Sequence, residues 1–315
     1  MIAVSANPFR SYSTELRKRF GAPVQKLSVN AGLRCPNRDG TLDTRGCTYC
    51  NNEAFSPAYC SENLSIAEQI RRGMEFFRRK GPERVYFAYF QTFSNTYASL
   101  DRLKSLYEQA LSVSGVSGIL IGTRPDCVNE EVLDYLAQLS SRTYVGLEYG
   151  VESTLDRTLE RINRHCDYET AVRSICMTHD RGMAVGVHLI LGLPGEELCD
   201  MLHHAEALSA LPLHSLKLHQ LQIVRDTAME SEYMRDPSSF RLFDIEEYID
   251  LLVNFLERLN PAIAIDRLAG QVPPAKLIAP VWGVRNHEIS LLVKRAMLQR
   301  GTYQGRRFTG ESASG

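Results

Sequence analysis

The stretch Val24-Gln-Lys-Leu-Ser-Val-Asn-Ala-Gly-Leu-Arg-Cys-Pro-Asn-Arg-Asp-Gly-Thr-Leu-Asp-Thr-Arg-Gly-Cys-Thr-Tyr-Cys50 governs how the rest of the chain is read. Its first six residues alternate apolar and polar side chains, as a half-buried strand does. The strand runs through Asn30-Ala31-Gly32 into a loop with three of the eight cysteines, Cys35, Cys47 and Cys50. Thiols clustered like this, in a chain with no secretion signal, bind metal more often than they form disulfides. Three thiolates with no obvious fourth ligand leave a coordination position open. Two centres fit the loop itself: an iron–sulfur cluster with one iron free of protein ligands, or a tetrahedral zinc site completed by Cys60.

Outward from the loop, 315 residues at 44% hydrophobic content can bury a large core. Thirty-six basic and thirty-seven acidic residues give a net charge of -1, which argues against a strongly basic nucleic-acid binder. Met1–Pro8 has neither a long apolar core nor a cleavage pattern. No run approaches the roughly 18 apolar residues of a membrane span. A cytoplasmic protein with no membrane partner is expected.

Arg10–Gly21 reads as a surface helix. Ser65 and Glu68 form a capping-box pattern, and Ile66, Ile70, Met74 and Phe77 follow at helical spacing. Strands are expected at 85–90, 116–121, 144–147, 184–191 and 215–224. Helices are expected near 100–113, 130–139, 153–161, 168–181, 196–208 and 245–259. This alternation denotes βαβ units and a parallel sheet. The unusual polar clusters fall at strand C-terminal ends: the cysteine loop, Gln91-Thr92, Thr123-Arg124-Pro125-Asp126, Glu148 and Gly192–Glu196. An α/β barrel builds its site at that end. The fold expected is a partial (βα)6 TIM-type barrel of parallel strands with a C-terminal extension. Residues 1–24 would form an N-terminal extension, 25–225 the core barrel, and 226–315 a segment packing on or capping it, ending in a Gly/Ser-rich tail.

Several motifs resemble a known family. The spacing Cys35-x11-Cys47-x2-Cys50, with Tyr49 before the last cysteine, resembles the cluster loop of radical S-adenosylmethionine (SAM) enzymes. Gly150-Val-Glu-Ser153, followed by Ile162-Asn-Arg164, is similar to the family's fourth-strand pattern. Leu189-Ile-Leu-Gly-Leu-Pro-Gly-Glu196 resembles its fifth-strand signature, and Thr123-Arg-Pro-Asp126 its third-strand motif. With Thr92-Phe93 and Lys217-Leu-His219, the chain from about Lys26 to Val224 is similar to the YhcC-like radical SAM proteins of the Elongator-related branch.

The resemblance implies that Cys35, Cys47 and Cys50 hold a [4Fe-4S] cluster and that Tyr49 packs near the adenine of SAM. Glu152, Arg164 and His188 match positions that touch the ribose or the methionine carboxylate. A guanidinium suits a carboxylate and a carboxylate suits ribose hydroxyls. Thr123 and Arg124 belong to the same site. Phe90-Gln91 stands where many members carry Gly-Gly, and Gly122 replaces a frequent glutamate, so Gln91 and Thr92 are the expected contacts to the SAM amino group. An electron donor such as flavodoxin or ferredoxin and an unidentified substrate, RNA among the candidates, complete the expected partners. A zinc-bound adaptor for RNA or protein is the alternative from another class.

Other residues carry open readings. Arg164 also reads as a surface ion pair, His188 as a satisfied core histidine, and Glu148 as either a substrate contact or a barrel ion-pair member. Cys127, Cys166, Cys176 and Cys199 read as small buried hydrophobes, with Cys127 placed to face the site. Ala269–Arg307, with Trp282 and several basic residues, reads as a solvated basic helix, with a barrel-floor cap or a partner contact as alternatives.

Overall fold

The computed structural model describes residues 7–51, 57–78 and 83–310; the Gly/Ser-rich tail beyond Gly310 lies outside them. Helix α1 (Tyr12–Phe20) precedes β1 (Val24–Val29), and α2 (Ile66–Arg78) follows the cysteine loop. The chain then alternates through β2 (Val85–Phe90), α3 (Leu100–Leu111), β3 (Val116–Thr123), α4 (Glu130–Ser140) and β4 (Tyr144–Glu152). Helices α5 (Asp156–Arg161) and α6 (Tyr168–His179), β5 (Ala184–Leu191), α7 (Leu198–Ser209) and β6 (Ser215–Gln220) complete the regular part. Ser65 caps α2 as its sequence indicates, its hydroxyl accepting from the Glu68 amide at 3.2 Å.

After β6 come β7 (Ile223–Val224), α8 (Ala228–Arg235), α9 (Ile245–Arg258), β8 (Ala264–Arg267), β9 (Leu277–Ala279) and α10 (Asn286–Gln299). The main sheet runs β1-β2-β3-β4-β5-β6-β8, every neighbouring pair parallel. It curls into an open half-barrel, the partial TIM-type barrel that the alternation predicts. Seven strands take part rather than six. The seventh, β8, is four residues long and follows Pro261, too short for its apolar pattern to be recognised. The sixth ends at Gln220 rather than Val224, because Ile223–Val224 leaves the sheet to pair antiparallel with β9.

The barrel interior is layered. At its lower end Phe87, Tyr89, Leu120, Tyr144 and Ala264 pack around Tyr12 and Leu16 of α1, which plugs the bottom. The Tyr12 and Tyr144 hydroxyls meet at 2.9 Å. Above them lies a buried charge network drawn from four strands. Lys26 contacts Asp266 at 2.6 Å and Glu148 at 3.3 Å, while Lys217 bonds Glu148 and lies 3.4 Å from Asp266. The outer face of the sheet packs on its helices in the large apolar core.

The C-terminal segment is an amphipathic helix packed on α9, with its basic residues on the exposed side. Helix α10 buries Ile289, Val293 and Met297, and its neighbourhood absorbs positive charge in ion pairs: Arg300 with Asp250 at 2.8 Å and Arg307 with Glu257 at 2.7 Å. Gln304 is the clasp. Its buried amide donates to the carbonyls of Asn260 and Ile263 at 2.9 and 2.8 Å, and its oxygen accepts from the Arg10 amide at 2.9 Å. Both chain ends are thereby tied to the entry of β8. Among the described residues no helix is long and apolar enough to cross a membrane. Gln304→Ala removes three side-chain hydrogen bonds and leaves the Ile263 carbonyl and the Arg10 amide without that partner, so it should destabilise the fold by about 2–4 kcal/mol. Urea denaturation monitored by circular dichroism measures this, and a loss below about 1 kcal/mol would refute the clasp.

Candidate functional site

The C-terminal ends of the strands surround a cavity of about 230 Å³. The long loop at its rim is held by the segment after α5. The Asn163 side chain, on a residue at φ 56, donates to the Gly46 carbonyl at 2.8 Å and to Asp43 at 3.1 Å. The buried Asn37 amide donates to the Asn163 carbonyl at 2.6 Å and to Cys47 Sγ at 3.4 Å. The Thr48 amide bonds the Ile162 carbonyl at 3.0 Å, and Arg38 donates to the Cys50 carbonyl at 2.5 Å. The Ile-Asn-Arg triplet is therefore the dock on which the cysteine loop is seated.

Cys35, Cys47 and Cys50 all line the cavity, with Tyr49 between them. Asn37 and Arg164 Nη1 direct N–H groups at Cys47 Sγ, the latter at 3.7 Å. Burial, and then the neighbouring Cys47 thiol, push the Cys50 thiol up to about 11, an electrostatic burden that a bound cationic metal removes. Among the described residues no three His, Cys, Asp or Glu side chains form a group that could hold a single metal ion. A four-iron cluster does not require such convergence, because each thiolate takes its own iron. The residues present therefore fit a cluster. Cys60, the fourth ligand of the zinc alternative, is occupied elsewhere. Its Sγ donates to the Ser28 carbonyl at 2.8 Å, burial pushes it up to about 12, and it does not line the cavity.

The expected SAM contacts gather on the same cavity. Gln91, Thr123, Arg124, Glu152, Arg164 and His188 line it. Thr92 does not; Phe93, at φ 64, and Ser94 take that stretch of wall. Arg164 is buried and not a surface ion pair; its Nη2 bonds the Gly150 carbonyl. Glu152 and Arg164 close over Gly150: a Cβ there would lie 2.5 Å from Glu152 Oε1 and 3.1 Å from Arg164 Nη2, so a larger residue would have to displace these two side chains. Arg124 grips Asp126 at 2.7 and 2.8 Å and the Arg164 carbonyl at 2.9 Å, while its buried Nη1 has no partner. Glu196 of the Gly-Leu-Pro-Gly-Glu turn is buried and accepts from the Ser153 hydroxyl at 2.5 Å, which ties that turn to the end of β4.

Glu148 belongs to the charge network and also lines the cavity floor. Burial pushes its carboxyl up, but Lys217, Lys26 and the His188 hydrogen bond at 3.2 Å outweigh this and hold it well below the ordinary carboxylate range. His188 is lowered by burial and by Lys217, so it is a neutral donor to Glu148. Sequence reasoning missed Asn37, Arg38, Asp266 and Arg267. The first two look like turn residues, and the last two lie on the unrecognised seventh strand. Cys127, pushed up to about 12 by burial, stands beside Asp126 but does not line the cavity. Cys199 is exposed rather than buried.

His219 on β6 is held well below its usual value by burial, and then by Arg267, His188 and Lys217 against the opposing Glu148. The unfolded chain takes up a proton there below about pH 6.5, while the folded protein does not, so stability falls as pH drops through that value. His219→Gln should reduce the stability lost between pH 6.5 and 5.5 by about 1 kcal/mol. Urea titrations at the two pH values measure it, and equal losses in both proteins would show that His219 is not held neutral.

A family model described as the radical SAM superfamily matches residues 34–208, and the radical SAM C-terminal domain matches residues 213–299. The chain belongs to the radical SAM superfamily, and within it to the YhcC-like family. It is 34% identical to protein YhcC of Escherichia coli over 86% of each chain. It is 33% identical to YtqA of Bacillus subtilis over 96% of each. The structure of Methanocaldococcus infernus Elp3 superimposes with a TM-score of 0.67 at 15% identity, over 89% of this chain and 64% of that one, a likeness of fold alone. This chain is accordingly a radical SAM enzyme, and its family implies SAM and a [4Fe-4S] cluster.

Proposed function

We propose that Cys35, Cys47 and Cys50 hold the [4Fe-4S] cluster and that SAM lies across the wall formed by Gln91, Thr123, Arg124, Glu152, Arg164 and His188, with Thr92 just behind it. The observation that carries this reading is that all three thiols share one cavity with all but Thr92 of those side chains. Held by these three cysteines, the cluster would supply the one-electron reduction that converts SAM to methionine and a 5′-deoxyadenosyl radical. The protein's own residues do the rest. Asn37 and Arg164 direct N–H groups at Cys47, Arg124 fixes the Arg164 backbone, and Glu152 offers acceptors to ribose hydroxyls. The barrel walls exclude water from the reacting atoms.

The catalytic barrel is read as residues 25–225, with 226–315 supplying its last strand and packing on or capping it. Flavodoxin or ferredoxin is the proposed electron donor, and the reducing cytoplasm the proposed compartment, where free thiols persist. RNA is one candidate substrate class, raised by the Elongator-related resemblance.

Anaerobic reconstitution with iron and sulfide, then dithionite and SAM, should give a visible chromophore that bleaches on reduction and release 5′-deoxyadenosine. Cys47→Ala should abolish the product, whereas Cys60→Ala should retain it. A colourless protein that binds one zinc and loses it in Cys60→Ala, or 5′-deoxyadenosine from the Cys47→Ala protein, would overturn the reading.

A further inference from the structure

The cavity has a second wall that the cofactor reading leaves unused. It is built by the inner face of β6, the turn after it and the end of β8, and presents Lys217, His219, Gln222 and Arg267. We propose that this wall is a recognition site for an oxyanion carried by the substrate, with Arg267 as its cation. The inference rests on the reading that the substrate enters this cavity.

Charge pairing singles out Arg267. Among the cations lining the cavity, Arg124 is matched by Asp126, and Arg38 and Arg164 serve the cysteine loop and its dock. Lys217, together with Lys26 from below, is balanced by Glu148 and Asp266. Arg267 forms no ion pair with any described residue, although it stands on a half-buried strand end beside Tyr89 and His219. A partly desolvated guanidinium without a counter-charge is costly unless a ligand supplies one. Its planar fork matches a carboxylate or a phosphate.

The backbone is shaped to present this residue. Pairing of β6 with β8 runs Ser215 to Ala264 and Leu216 to Ile265, then jumps from Lys217 to Arg267. Asp266 is the extra residue of a bulge, a device that re-aims side chains next to sites. The bulge leaves Asp266 in the floor network and Arg267 on the cavity wall. His219 and Gln222 line the same cavity as Arg267, and both pack on Gly270, where a Cβ would lie 2.9 Å from His219 Nδ1 and 3.0 Å from Gln222 Oε1. His219 Nε2 is buried without a partner. A cation without a counter-ion, an unpartnered imidazole nitrogen and an amide thus converge on one wall.

The test is thermal unfolding of the reconstituted enzyme in inorganic phosphate or acetate, against chloride at equal ionic strength. Phosphate or acetate should raise Tm by about 2 °C at saturation. Arg267→Gln should abolish the rise, and Arg267→Lys should keep part of it. A response to acetate alone would assign a carboxylate, and one to phosphate alone a phosphoryl group. An equal rise in wild type and Arg267→Gln, or no rise beyond that in chloride, would overturn the proposal. Neither result touches 5′-deoxyadenosine formation in the Cys60→Ala and Cys47→Ala proteins, so the two readings fall separately.

Discussion

A half-barrel has two edge strands that do not hydrogen-bond to each other, and here the Lys26–Asp266 contact at 2.6 Å joins them from within. Lys26 lies on β1 and Asp266 on β8, while Glu148 and Lys217 link the pair to the centre of the sheet. Such a network is not a large source of net stability, because its members lose hydration when buried. Its effect is conditional. With all four charges present the network itself is neutral, and removing one leaves a buried charge unmatched at a cost of about 3–5 kcal/mol. The curvature of the sheet, and with it the spacing of every strand end around the cavity, depends on that balance.

The cysteine loop depends on a second constraint. Sixteen residues from Cys35 to Cys50 without regular structure would be costly to order alone. They are ordered by polar bonds to Ile162, Asn163 and Arg164, which are themselves placed by the end of β4 and the short α5. The same triplet supplies the guanidinium that meets Cys47. One short segment thereby fixes both the cluster ligands and a proposed SAM contact, so the two cannot drift apart independently.

Much of this was legible in the sequence, for identifiable reasons. Strands β2 to β5 are apolar runs that are mostly buried, and β1 is an alternation that buries Leu27 and Val29; burial is what periodicity reports. Cys35, Cys47, Cys50, Arg164 and Glu152 were visible through motif spacing. Strand β8 was not, because Ala-Ile-Asp-Arg is short and places its two charged residues at the barrel interior, where the partners of Asp266 are Lys26 and Lys217, far away in the chain. The ion pairs of the basic C-terminus were not legible either: Arg300 and Arg307 are exposed, as expected, but their partners Asp250 and Glu257 are far away in the chain. Glu148 could not be assigned from sequence, since its role is set by three partners from three other strands.

The cost of polar groups without partners is distributed unevenly. Burying a donor or acceptor unmatched costs about 1–3 kcal/mol, so a fold tolerates it where something else demands the group. Asn37 Oδ1, Arg124 Nη1 and His219 Nε2 are all buried without a partner, and Arg124 and His219 line the cavity while Asn37 touches Cys47. Lower in the barrel the Tyr12 and Tyr144 hydroxyls find each other, and the Tyr89 hydroxyl finds Lys217. The three unmatched groups stand at or beside the cavity, and a ligand gains most where the empty protein has left its own polar groups unmatched.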